Sequence, residues 1–313
     1  MIKLDRRALS MEQAAAFAPC HITGIFQIFD QSADLLRAGS KGAGVSLNLR
    51  AKTTVKVEKS VSHSLKVNIN DQVADSAHLS GHVVSAFLSR LSEAFHYEIT
   101  VEHQIEAPIG AGFGTSGAAA LSLALALNEA LGLGMSKIQC AQIAHVAEIE
   151  CKTGLGTVIA ETFGGLEIRI KPGAPGIGEI KCLPTPENAV VVCHVFGPLS
   201  TRKYLTDGET RSRINRFGGE LVDELVKVPT VINFMMLSRR FAEHVGLITE
   251  RVRNVLNAAD KAGVICSMPM FGECAFTITD GDRLERILDV FRRNGSGGRT
   301  FVSTVDREGA RLR

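Results

Sequence analysis

The chemistry of this chain concentrates in the segment Pro108-Ile-Gly110-Ala-Gly112-Phe-Gly114-Thr115-Ser116-Gly117-Ala118. Glycines lack a Cβ, so the backbone N–H groups around them can approach a ligand closely. An apolar helix is expected to begin at Gly117. Its first turn adds unpaired N–H donors and the positive end of the helix dipole. Together these features favour an anion, most naturally a phosphate. The hydroxyls of Thr115 and Ser116 stand where a phosphate or a magnesium ion would lie. The plainer alternative is a tight turn leading into a capped helix.

Three familiar phosphate loops do not fit. Gly112-Phe-Gly114-Thr-Ser-Gly117 matches G-x-G-x-x-G, but a dinucleotide fold needs a second parallel strand after the helix, ending in an acidic residue. Here a second helix follows instead. A Walker loop needs G-K-[ST], and the segment has no lysine. A protein-kinase loop lies between two strands and needs a later V-A-I-K-type lysine, and neither is found.

The elements around the loop follow from periodicity. Val45–Leu49, Thr53–Glu58 and Leu65–Ile69 are expected to be strands, rich in β-branched residues. Apolar positions at helical spacing predict a helix over Ser76–Phe95. Tyr97–Ile105 alternates as a strand and feeds the glycine loop. Helices follow at Gly117–Leu131 and, behind the N-cap Ser136, up to about Cys151. Gly164–Ile170 and Ala189–Val195 are further strands, separated by the proline- and glycine-rich stretch Lys171–Pro186. A domain boundary is expected near its end, giving domains 1–186 and 187–313. The second half alternates helices (about 208–226, 230–245, 248–262 and 281–293) with strands (about 270–278 and 299–305). The expected class is α+β with mixed and antiparallel sheets.

With the elements in place, the loop resembles the P-x-x-x-G-L-G-S-S-A-A loop of the GHMP kinase superfamily. Ala18-Pro19-Cys20-His21-Ile22-Thr23-Gly24 resembles the A-P-G-H-I-T-G opening of archaeal pantoate kinases, with Cys20 in place of a glycine. Gly39-Ser-Lys-Gly42-Ala-Gly44-Val, Thr153-Gly-Leu-Gly156, Gly164-Gly165 and Lys171-Pro-Gly-Ala-Pro175-Gly-Ile-Gly178 are similar to segments of that family. So are Ser200-Thr-Arg-Lys203 and Asn233-Phe-Met-Met-Leu-Ser-Arg239. The resemblance implies a two-domain GHMP-kinase-like fold with the active site between the domains. It implies an ATP- and Mg²⁺-dependent kinase acting on the primary hydroxyl of pantoate, in archaeal coenzyme A synthesis. Kinases for other small hydroxy acids, such as homoserine or mevalonate, and a nucleotide-binding relative without catalysis are the alternatives.

On this resemblance, Pro108, Gly110, Gly112, Gly114, Thr115, Ser116 and Gly117 bind ATP. Ser116 and Glu148 hold Mg²⁺, while Glu150 lies elsewhere on the helix. Many GHMP kinases place a catalytic aspartate seven residues before the Gly-Gly pair. This chain has Thr157 there, which cannot act as a carboxylate base. The glycine-rich third motif is likewise replaced, by Met268-Pro-Met-Phe-Gly272. His21, Ser116 and Thr157 are the expected catalytic positions. His21 could bind the substrate carboxylate, steady developing charge or act as a base near neutral pH. Thr23, Thr201, Arg202, Lys203 and Arg239 join His21 as expected substrate contacts, with Arg240 a further candidate, because guanidinium groups suit carboxylate and phosphate. Arg251 and Arg253 are expected to be solvated helix charges. His78 and His82, spaced i, i+4, lack the glutamate of H-E-x-x-H and are not expected to bind metal.

Composition narrows the partners. Lys plus Arg total 35 against 33 for Asp plus Glu, and with Trp absent and Tyr at 2 there is neither a basic excess nor a stacking platform for nucleic acid. Gly117–Leu127, the most apolar run, is too short to span a bilayer, and no apolar segment follows the charged N-terminus. No nucleic acid and no membrane partner is expected, and a homodimer is left open. The 7 cysteines are scattered without a C-x-x-C pair, which points to reduced thiols and a cytoplasmic location.

Overall fold

In the computed structural model, which describes residues 12–74, 77–91, 95–199 and 207–313, the longest strands come first. β1 (Glu12–Phe29) and β2 (Gly39–Ser60) pair antiparallel along almost their whole lengths. Periodicity did not predict β1. Ala14, Ala16 and Ala18 face inward on one parity, but alanine favours helix and hides the pattern. From Pro19 to Ile22 every residue is buried, so alternation disappears altogether. The ladder slips at Pro19/Cys20 and again at Thr23/Ile25. Such bulges accommodate a proline and re-aim side chains. The two strands expected at Val45–Leu49 and Thr53–Glu58 are parts of the single β2.

The rest of the first sheet assembles around this pair. β3 (Ser64–Ile69), β4 (Gln72–Val73) and β5 (His96–Ile105) complete the order β1-β2-β5-β3-β4. β6 (Leu166–Lys171) pairs with β2 and with β7 (Glu179–Cys182). The β3–β5 pairing is parallel, so the sheet is mixed. Helix α1 (His78–Leu88) is shorter than expected, and Ser76 lies outside the described residues. Helices α2 (Thr115–Ala130) and α3 (Lys137–Cys151) pack together, and α2 covers β1 and β2. Ser136 caps α3 in a capping box with Gln139, as its sequence position foretold. A short α4 (Thr157–Phe163), not anticipated, carries the chain from α3 into β6.

The chain crosses to a second, antiparallel sheet between Cys182 and Val190, where the proposed boundary at 186 falls. That sheet has the order β10 (Arg299–Thr304), β8 (Val190–Pro198), β9 (Gly272–Thr279). Helices α5 (Gly208–Lys227) and α6 (Val231–Val245) pack on β1. α7 (Glu250–Lys261) packs on β9 and α8 (Leu284–Asn294) on β8. The last strand, β11 (Arg311–Leu312), returns to pair with β1 in the first sheet. The architecture is α+β with mixed and antiparallel sheets, as expected.

A buried polar knot ties the nucleus of the first sheet together. His103 of β5 reaches Thr53 on β2 through Nδ1 (2.8 Å) and Ser80 on α1 through Nε2 (3.1 Å), and Thr53 bonds Ser122 on α2 (2.6 Å). Burial pushes the His103 imidazole down to about 4, below its ordinary 6.5. The unfolded chain therefore takes up a proton that the native chain refuses. The contribution is whole above pH 6.5 and is lost as pH falls from there through 4. Burial lowers His145 and His194 in the same direction. A His103→Asn variant should consequently lose less stability between pH 7 and pH 4.5 than the unaltered protein, as read from urea midpoints. Equal losses would show that His103 does not sense acid.

Candidate active site

The glycine loop lies between β5 and α2, along a cavity of about 520 Å³. Gly110, Gly112 and Gly114 have φ of +76°, +85° and +61°, the left-handed region that side chains disfavour. This chain of left-handed turns delivers the backbone into α2, whose N-cap is Gly114. His21 N–H donates to Phe113 O at 2.8 Å, and Leu199 N–H to Gly110 O at 3.0 Å, which holds the loop from both sides. Residues Gly110, Gly112, Gly114, Thr115 and Ser116 line the cavity, with Pro108 and Gly117 flanking them. The helix start and the open glycine backbone fit an anionic phosphate chain.

Glu148 on α3 is buried beneath this helix start. Thr153 Oγ1 donates to its Oε1 at 2.6 Å and Thr157 Oγ1 to its Oε2 at 3.0 Å, and the Ser116 hydroxyl lies near enough to favour its ionised form. Burial raises the Glu148 carboxyl, and the three hydroxyls oppose the rise. Ser116 and Glu148 thus meet, as oxygen donors of the kind Mg²⁺ takes. No group of three His, Cys, Asp or Glu side chains converges as a metal site among the described residues, so phosphate oxygens and water would have to complete the shell. Thr157, at the start of α4, serves Glu148 through its hydroxyl. Glu150 pairs with His82 on the exposed surface (3.1 Å), away from Glu148.

Beyond the loop, the cavity ends in a buried charge cluster that sequence reasoning missed. Arg169 on β6 is 1% exposed, and its Nη1 donates to Glu167 Oε1. His21 Nε2 sits 3.1 Å from the other oxygen of Glu167, and its Nδ1 lies 3.3 Å from Thr23 Oγ1. With Glu167 accepting from Nε2–H, Nδ1 accepts from the Thr23 hydroxyl. Arg169 Nε has no partner. His21, Thr23, Ser40 and Arg169 line this end of the cavity, together with the apolar Phe26, Met270 and Phe271. Phe271 has φ +62°, an unusual conformation for a bulky residue. Ring packing against Phe26, with centroids 5.7 Å apart, accompanies it. Glu161 on α4 is also fully buried, with neither carboxylate oxygen partnered. Burial first, then Glu148 and Glu167, drives its carboxyl well above the usual range, against the pull of Arg169.

Other expected residues fall elsewhere. Arg239 does not reach the cavity: Glu243 (2.8 Å), Asp260 (3.0 Å) and the carbonyl of Cys266 (3.0 Å) hold it. Glu243 stands at i+4 on the same helix, a spacing the sequence carries, whereas Asp260 and the Cys266 carbonyl come from the fold. Arg240 pairs with Glu224 at 2.9 Å. Arg251 and Arg253 are not simply solvated. The first pairs with the buried Glu273 and lies over the Phe196 ring, and the second pairs with Glu243. Thr201, Arg202 and Lys203 lie outside the described residues. Cys20 turns its thiol into the core.

Similarity to known proteins identifies the family. A family model of the GHMP kinases N-terminal domain matches residues 78–165. The pantoate kinase of Methanocaldococcus jannaschii is 32% identical over 293 residues, 88% of this chain and 96% of that enzyme. The chain belongs to the pantoate kinase family of GHMP kinases. Within that family, the enzyme of Thermococcus kodakarensis is 35% identical over 87% of this chain and 89% of its own. A solved structure described as a phosphotransferase related to the CoA biosynthesis pathway superposes with a TM-score of 0.85. It is 30% identical and covers 96% of this chain and 98% of its own.

Two substitutions test the site. A side chain at Gly114 would place its Cβ 2.7 Å from Glu161 Oε1 and 3.1 Å from the His21 carbonyl, at a φ that valine cannot adopt comfortably. Gly114→Val should eliminate measurable ATP binding in titration calorimetry, and a folded variant with ordinary affinity would refute the phosphate assignment. Glu148→Gln should lower kcat substantially with the fold intact, since one formal charge facing the metal is lost. Wild-type rates with wild-type Mg²⁺ dependence would leave Glu148 a structural carboxylate.

Proposed function

We propose that this protein transfers the γ-phosphoryl group of ATP to the primary hydroxyl of (R)-pantoate, giving 4-phosphopantoate and ADP, in archaeal coenzyme A synthesis. The observation that carries the substrate is the buried Arg169 guanidinium at the end of the cavity beyond the phosphate loop. Glu167 and the strand hold it rigidly, so its remaining N–H groups are preorganised for a carboxylate. Pantoate has a carboxylate at one end and a primary hydroxyl at the other, with a carbon bearing two methyl groups next to that hydroxyl. Phe26, Met270 and Phe271 form an apolar wall suited to those methyls. Thr23 and Ser40 supply hydroxyls for its polar middle. Ile69, Ala77, Leu79 and Ile105 make the other, apolar end, which we assign to the adenine.

The chain's own residues then divide the work. Glycines 110 to 117 and the start of α2 receive the phosphates. Ser116 and Glu148 would hold Mg²⁺, which when bound neutralises phosphate charge. The hydroxyl of Thr157 fixes one oxygen of Glu148 and so orients it. His21 is a positioning residue in this reading: through Glu167 it steadies Arg169, and through Thr23 it borders the substrate. Phosphoryl transfer has a loose transition state, so alignment and charge carry most of the catalysis and a weak base is tolerable. The hydroxyl proton leaves to solvent as the new P–O bond forms and the bond to ADP breaks. The scattered, reduced thiols support a cytoplasmic setting. No helix among the described residues is long and apolar enough to cross a membrane.

A coupled ADP-release assay over pantoate, homoserine, mevalonate and 2,4-dihydroxybutanoate tests the reading. Pantoate should give the highest kcat/KM, exceeding the analogue without methyls by ~10–100-fold, the usual worth of methyl groups in an apolar pocket. Preference for another acid would reassign the substrate, and no turnover with any would leave a nucleotide-binding relative. In the same assay Arg169→Lys keeps the charge against Glu167 but loses the planar fork. It should raise KM for pantoate by ~10-fold or more and change kcat less. An unchanged KM would remove Arg169 from the substrate site.

A further inference from the structure

Thr157 leaves this chain without a carboxylate at the position where many GHMP kinases carry their catalytic aspartate, yet a carboxylate stands one helical turn further on. Residues four apart share a helix face, so Thr157 and Glu161 of α4 point the same way, toward α2. The place where a Cβ would sit on Gly117 measures how closely the groups converge. It is 2.6 Å from Glu161 Oε2, 2.7 Å from Thr157 Oγ1 and 3.1 Å from Glu148 Oε2. The other oxygen of Glu161 lies 2.7 Å from the corresponding place on Gly114. Both oxygens therefore face the backbone of the phosphate loop. Glu161 is 0% exposed and neither oxygen has a hydrogen-bond partner. Buried carboxylates without partners are costly and are retained where something else satisfies them.

The charges near Glu161 show what is missing. Three buried carboxylates, Glu148, Glu161 and Glu167, stand against one buried guanidinium, Arg169, and one imidazole, His21. Of the three carboxylates, Arg169 and His21 hydrogen-bond only Glu167. Glu148 has only neutral hydroxyls, and Glu161 has nothing. A divalent cation beside Ser116 would close the balance.

We propose that Glu161 is the second carboxylate of the cation site, a charge partner that acts across Gly117 with Glu148 and replaces the one absent at position 157. Mg²⁺ keeps several of its waters, so a carboxylate set back from the cavity can act on it without displacing them. This rests on reading the loop as a nucleotide site.

The test is Mn²⁺ binding, followed by the free-ion EPR signal in the presence of a non-hydrolysable ATP analogue. Glu161→Gln should weaken Mn²⁺ binding by ~10–100-fold, as loss of an outer carboxylate does. Affinity for the analogue without metal should be unchanged. Adding Thr157→Asp to that variant moves the charge back one turn and should recover most of the lost affinity. The metal-free Glu161→Gln protein should melt no lower than the unaltered one, because it loses a buried carboxyl whose oxygens have no hydrogen-bond partner. Unchanged Mn²⁺ affinity in Glu161→Gln would overturn the proposal while leaving the kinase reading intact. A lower melting temperature, or failure to fold, would mean Glu161 has structural partners and would overturn it too. If the unaltered protein binds neither analogue nor Mn²⁺, the kinase reading itself falls.

Discussion

Backbone without side chains is the constraint on which the site depends. The loop from Gly110 to Gly117 is pressed between β1, the Met268–Gly272 turn and the carboxylates of α3 and α4. His21 N–H holds it from one side. On another, the place of a Cβ on Gly112 lies 3.0 Å from the Met270 carbonyl. Below, Glu161 and Thr157 occupy the volume that a side chain at Gly117 would need. Only glycine allows the close approaches at Gly112 and Gly117, and the same bare backbone lines the cavity. One property serves both the packing and the ligand.

The second principle is concentrated charge. Glu148, Glu161, Glu167 and Arg169 are each nearly or wholly removed from water. Burying so many ions is unfavourable unless they are paired or satisfied by a ligand. The β6 pair of Glu167 and Arg169 is internally matched and gives a rigid anchor. The pair under α2 is not matched, and that imbalance is what the proposed cation would offset. In the proposed reading the two halves of the cluster divide the labour, with a fixed positive group for a carboxylate and a negative pocket for a metal. Perturbed buried groups gathered in one cleft are the mark of a functional site.

The third motif shows how the family frame is adapted. Where the superfamily carries glycines, this chain has Met268-Pro-Met-Phe-Gly272, and Met270 and Phe271 line the cavity. Met270 N–H donates to Thr23 O at 3.1 Å, so the turn is pinned to β1 beside His21. Phe271 accepts a left-handed backbone there. Strain of that kind persists only where the surroundings over-determine it. It brings an aromatic ring into the cavity beside Phe26, which a glycine would leave open.

The amino-acid sequence by itself determined the glycine loop ahead of α2, the helix behind Ser136 and the family, while the pairing of Ser116 with Glu148 was implied only by the family resemblance. Each depends on residues close in the chain or on a motif with strict local geometry: glycines where φ must be positive, a capping serine, a helix start. It also determined the α+β class, because most elements carry their own period. Tertiary structure alone decided the rest. β1 escaped notice because its alanines mimic a helix and its middle is buried on both faces. Glu167 and Arg169 read as an ordinary strand until the β2–β6 pairing placed both inside, against His21 from the far end of the chain. Arg239 looked like a substrate contact until its own helix set Glu243 one turn away and the fold brought Asp260 of α7 within 3.0 Å. Charge is local in sequence, but what a charge is for depends on which opposite charge folding brings within about 3 Å, and that distance is set by contacts between residues far apart in the chain.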